Sequence, residues 1–219
     1  MANIQDHPNA LLLVEGNDDF HVMHALCKQF DIPVRNREIP NGGKFSIKDC
    51  KGIEKLLEQI PILFKSANPM NTLGIIIDAD TDLASRWQSA STIFKKMGFV
   101  LPEELPKSGL IAENGDLKIG VWIMPNNNLS GMLEDFMVFL APKNDPLLPI
   151  LNETLNDIEA KALNHYALIH KPKALIHAWL ALQSDPGSPL AQGITKHYLD
   201  TDQETCKMLI DWINRLFQP

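Results

Sequence analysis

Apolar positions recur along the chain with two different periods. Residues 10–14 (ALLLV) are an unbroken apolar run, the pattern of a short strand covered on both faces. Directly after it, Phe20, Met23, Leu26, Cys27 and Phe30 recur at helical spacing. Asn17 is the expected N-cap, with Asp18 and Asp19 in the first turn near the positive end of the helix dipole. Pro33 opens a second extended piece expected to reach Ile39, and Asn41-Gly42-Gly43-Lys44 reads as a loop. Helical spacing returns with Ile53, Leu56, Leu57 and Ile60 until Pro61, which is expected to break or bend that helix. Residues 73–77 (LGIII) are the clearest strand, and Trp87, Ala90, Ile93, Phe94 and Met97 then mark another helix face.

The middle of the chain changes character. Residues 110–113 and 117–124 flank Asn114-Gly115-Asp116, a hairpin signal. A loop at residues 125–128 leads to a helix face formed by Met132, Leu133, Phe136, Met137 and Leu140. After Pro142 the pattern is helical over 151–167, 173–183 and 205–217, with a loop at 184–189. Repeated β-α-β units with short links predict an α/β fold with a mainly parallel sheet between helices. Residues 1–141 are expected to form that domain, and residues 142–219 a helical extension packed on it.

Hydrophobic residues make up 45% and charged residues 21% of the 219, which favours a globular core over disorder. No apolar run is long enough to cross a bilayer, and the first residues lack the layout of a signal peptide, so no membrane association is expected. Cys27, Cys50 and Cys206 are widely spaced and form no CxxC pair, which argues against a disulfide framework or zinc cluster and points to a reducing, cytoplasmic location. The net charge of -7 argues against coating nucleic acid over a large surface, but leaves room for acids spent at one metal site.

Those acids stand where strands surface. In a parallel sheet, ligands gather outside the carboxyl ends of the strands. Glu15 follows the first strand, and Asp78, Asp80 and Asp82 follow the strongest one. Clustered carboxylates repel unless something positive sits among them, and Mg2+ is the hard, oxygen-seeking candidate. The plainer readings are a solvent-exposed strand-end acid for Glu15, and turn chemistry or helix capping for the aspartates. His21 and His24 form HxxH without a cysteine partner, which gives no zinc site, and Trp179 and Trp212 are expected in the core.

Val14-Glu15-Gly16-Asn17-Asp18-Asp19, followed by Asp78-Ala79-Asp80-Thr81-Asp82, resembles the Toprim domain shared by topoisomerases, bacterial primases, recombination mediators and OLD-family nucleases. The resemblance implies a Toprim-like Rossmannoid sheet. It makes Glu15 an acid/base group or metal ligand and has Asp78 and Asp80 bind Mg2+, with Mn2+ as a possible substitute and Asp82 as a third acid. Asp19, four residues after Glu15, matches the ExxxD variant of the OLD branch, and Gly42-Gly43-Lys44 matches its GGK loop. There the two glycines and Lys44 would receive a phosphate, Lys44 offsetting its charge. Residues 124–136 and the helical tail resemble a small uncharacterised Toprim-like family, which raises a metal or catalytic role for Glu134. On a helical wheel Glu134 lies roughly opposite the apolar arc, which keeps it out of the core without itself aiming it at the Mg2+ site; the plainer reading is a surface acid favoured by the helix dipole.

The expected function is therefore a Mg2+-dependent phosphodiester enzyme, a nuclease on DNA or RNA in repair or phage defence. The helical part would serve a homo-oligomer contact or a partner protein. The alternatives are a non-catalytic Toprim-like module that binds metal, nucleic acid or protein, and a phosphatase of the haloacid dehalogenase type. The last usually carries Thr or Val where this chain has Asp82.

Overall fold

The structure, a computed structural model, describes residues 10–35, 43–65 and 70–217. Five strands form one sheet: β1 (Ala10–Val14), β2 (Ser46–Asp49), β3 (Thr72–Asp78), β4 (Leu110–Asn114) and β5 (Leu117–Met124), in the order β2-β1-β3-β5-β4. The first four of that order run parallel, and β4 returns antiparallel on β5 through the Asn-Gly-Asp turn. From β1 the chain crosses to β2 on one side through α1 (Asn17–Gln29), then returns to β3 on the other side through α2 (Ile53–Phe64). The strand order thus reverses between β1 and β3, where an open sheet leaves a crevice at its carboxyl edge.

Alternation along the strands splits the core in two. Leu12, Val14, Ile76, Trp122 and Met124 face α1, α4 (Leu133–Phe139), α6 (Lys171–Ala181), α7 (Leu190–Thr195) and α8 (Glu204–Phe217). Leu11, Leu13, Ile75, Ile77, Val121 and Ile123 face α2 and α3 (Leu83–Lys96). Helices from beyond residue 142 therefore share one apolar cluster with the strands, and Trp179 and Trp212 are buried in it. Gly74 and Gly120 are register partners on β3 and β5. A Cβ on Gly74 would come within 2.8 Å of Leu216, and one on Gly120 within 2.5 Å, so the two glycines make a furrow that α8 fills.

Several expected boundaries move. Gly16, not Asn17, is the N-cap of α1, and the Asp19 carboxylate completes the cap by accepting the Gly16 amide at 3.1 Å. The second strand, β2, lies after the Gly43-Lys44 loop; of the piece expected over 33–39, Val34 makes an isolated bridge to Phe45, and residues 36–42 lie outside the described segments. Pro61 does not end α2, which runs on to Phe64. Burial of Leu56 and Ile60 outweighs the one helical bond that the proline lacks. The expected helix at 151–167 is α5 (Leu147–Ala160), followed by a 3-10 turn at Leu168–His170, and α7 was not anticipated. No described helix is long and apolar enough to cross a membrane.

Candidate active site

The register brings Glu15, one residue past β1, beside Asp78 at the end of β3, because Val14 pairs with Ile76. The Asp78 amide donates to Glu15 Oε2 at 3.3 Å, joining the two strand ends directly. Asp19, one turn into α1, is held near them by its cap bond to Gly16 and is only 7% exposed. From the other side α4 points its first turn at Asp78, and the Leu133 amide donates to Asp78 Oδ1 at 3.0 Å. The loop after β3 is pinned to the loop before α4: the Asp80 amide donates to the Gly131 carbonyl at 2.9 Å, and Ser130 Oγ to the Thr81 carbonyl at 3.1 Å. Gly131 is required there, since at φ 141° a Cβ would stand 2.7 Å from Asp135 Oδ2.

These elements enclose a cleft of about 650 Å³ whose walls include Asp18, Asp19, Asp78, Asp80, Glu134 and Lys173. Burial raises the pKa of Asp78 well above the usual carboxylate range, and Asp19, Glu15, Glu134 and Asp80 push it further. Burial and then Glu15 push Asp19 up to about 7. Glu15 is raised by burial, against the opposing pull of the Asp78 amide and Arg86. Two further acids are compensated by cations. Arg86, in the first turn of α3, pairs with Asp80, and Lys173, in the first turn of α6, lies 2.7 Å from Glu134. Lys173 is held above its ordinary pKa chiefly by that bond.

Buried oxygen donors whose pKa values lie above the usual carboxylate range suit a hard divalent cation. Among the described residues, however, no three acid, histidine or cysteine side chains stand grouped as a ready-made ion shell. The donors suit Mg2+ in kind: after burial, Asp78 is raised most by Asp19 and Glu15, while Asp80 and Glu134 are paired with their cations.

The other predicted residues fall elsewhere. Asp82 is the N-cap of α3, accepting the Ser85 amide at 2.9 Å. Gly43 and Lys44 precede the amino end of β2, at the opposite edge of the sheet from Glu15 and Asp78, and Gly42 lies outside the described residues. Glu134 is not a surface acid: it is 5% exposed, because α6 covers the side of α4 opposite its apolar stripe. Sequence reasoning missed Arg86 and Lys173. The available signal was a basic residue in the first turn of each helix, a place the dipole disfavours unless an acid stands near.

A family profile described as "Protein of unknown function (DUF3226)" matches residues 9–218, and the chain belongs to that family. No curated protein matches it. Among solved structures, the C-terminal region of the OLD protein of Xanthomonas campestris pv. campestris aligns with 96% of this chain and 89% of its own length, at 14% identity and a TM-score of 0.37. A likeness that loose says nothing about the site.

Proposed function

We propose that this member of the DUF3226 family is a Mg2+-dependent phosphodiester enzyme of the Toprim type, a nuclease acting on DNA or RNA. The observation that supports it most is the meeting of Glu15 and Asp78 at the strand-order reversal, with Asp19 buried beside them and all three protonated more readily than usual. In this reading Asp78 and Asp19 are the first ligands of Mg2+, or of Mn2+ in its place, with Asp80 and Glu134 as further donors. The ion would supply Lewis-acid stabilisation of the phosphate and a more acidic water. Glu15, held at the strand tip with its proton affinity raised, takes or returns the proton. Lys173, half-exposed on the cleft wall, faces the substrate phosphate, the role expected of Lys44.

Purified protein is expected to cut single-stranded or supercoiled DNA with Mg2+ or Mn2+ and to lose that activity in Asp78→Asn. Cutting that survives the substitution would belong to a contaminant and sink the proposal. One observation favours a second reading, a module that binds metal and a partner without turnover: Asp80 and Glu134 are already neutralised by Arg86 and Lys173. Calorimetric Mg2+ binding with no cleavage of any nucleic acid would select it.

A further inference from the structure

A groove of about 440 Å³ runs between α1 and α7, lined by the HxxH pair that the cleft leaves unused and ending beside Lys44. His21 and His24, the HxxH pair, line its α1 wall together with Lys28, and Thr195 stands on the α7 wall. At its end lies Pro33, whose carbonyl accepts the amide of Lys44, the lysine of the GGK loop, at 2.9 Å. None of the lining residues is acidic, although the chain holds 27 Asp and Glu against 20 Lys and Arg. Phe20, half-buried, sits between the two imidazoles, His21 edge-on at 5.3 Å and His24 tilted at 4.5 Å.

Helix α1 belongs to both sites. Its first turn, with Asp18 and Asp19, walls the cleft, and its later turns wall the groove. Asp18, His21, Ala25 and Lys28 follow one another along one face of α1, and at 1.5 Å per residue the row from Asp18 to Lys28 spans about 15 Å. The geometry points to the α1–α7 groove as the track by which single-stranded nucleic acid leaves the acidic cleft. Its phosphates lie against His21, His24, Lys28 and Lys44, and its bases against the apolar floor. This rests on the phosphodiester reading above and adds to it the path and the strandedness of the substrate. A protein of net charge -7 must gather its cations in one place to hold a polyanion. A groove between two packed helices admits one strand with splayed bases, not a duplex. The imidazoles serve as hydrogen-bond donors, and the two lysines supply the charge.

The test is anisotropy of a fluorescein-labelled oligothymidylate with the full chain, in Ca2+ to suppress turnover. Lys28→Glu and Thr195→Glu place new acids on opposite walls, both at exposed positions. The double variant is expected to bind about tenfold more weakly, with a flatter salt dependence. Mg2+-dependent hydrolysis of bis(p-nitrophenyl) phosphate, too small to follow the groove, is expected to stay unchanged. Lys28→Glu alone repeats the test should the double variant melt early. The groove proposal is overturned by a wild-type protein that binds no oligothymidylate, by variants that bind as tightly as wild type, or by equal weakening from Lys95→Glu/Lys96→Glu on α3. Wild-type protein that binds the strand but hydrolyses no phosphodiester counts against the catalytic reading alone.

Discussion

At the inner wall of the cleft stand Asp19 and Asp78, with Glu15 tied to Asp78 through its amide, and the three carboxylates accept from the backbone amides of Gly16, Leu133 and Asp78. Elsewhere on the cleft wall, Asp80 and Glu134 each face a cation, Arg86 or Lys173. The outer acids are settled by the chain itself. The inner acids are left repelling one another in a partly dry place, where burial is the largest cause of their raised pKa values. Carboxylates arranged that way weaken the fold, and under the proposed Mg2+ reading a bound ion would relieve them.

Four substitutions probe that contrast. The largest effect is expected from Asp78→Asn at the inner wall: initial rates of Mg2+-dependent cleavage fall about 10²- to 10³-fold. Comparable activity in the variant would remove the inner wall from the chemistry. Next comes Lys173→Ala, which strands the buried Glu134 carboxylate. Urea unfolding of the metal-free protein should show a loss of about 2–3 kcal/mol, reduced when Mg2+ is added. A loss that Mg2+ leaves untouched would mean that Glu134 never turns toward the ion.

Asp19→Asn should act in the opposite sense and raise stability without metal. The folded-state pKa of Asp19, about 7, lies above its ordinary 3.8, so folding favours the protonated acid. That contribution is complete below pH 3.8 and is lost as pH rises through about 7. The variant's gain should therefore be largest at pH 8, at most about 4 kcal/mol, and vanish near pH 4, read from melts across that range. A gain independent of pH would dissociate it from the charge of Asp19. Smallest is Asp82→Ala, which removes only a helix cap. It should cost about 1 kcal/mol in unfolding free energy and leave the Mg2+ dependence of cleavage unchanged.

Four of the five strands and most helices were legible because their apolar periods are strong: 10–14, 73–77 and the 110–124 hairpin all appear where the pattern puts them. Glu15 and Asp78 were legible as strand-end acids for the same reason. What the sequence did not reveal depends on contacts between distant segments. The burial of Glu134 follows from α6 lying over α4, which no local period records. The GGK loop looked like part of the cleft because β2 was read before it. Placing β2 after the loop sends Lys44 to the other edge of the sheet. Asp82 was ambiguous in principle, since a helix cap and a metal ligand draw on the same residue types.

The furrow left by Gly74 and Gly120 has a consequence for how the molecule is made. Trp212 of α8 reaches back to the carbonyl of Leu110, 102 positions earlier in the chain, and Leu216 seats in the furrow beside it. A nascent polypeptide emerging from the ribosome has its sheet strands long before it has the piece that fills them. During that interval the furrow lies open to water or to a chaperone, and completion waits on a pairing whose loop-closure entropy is among the highest in the fold.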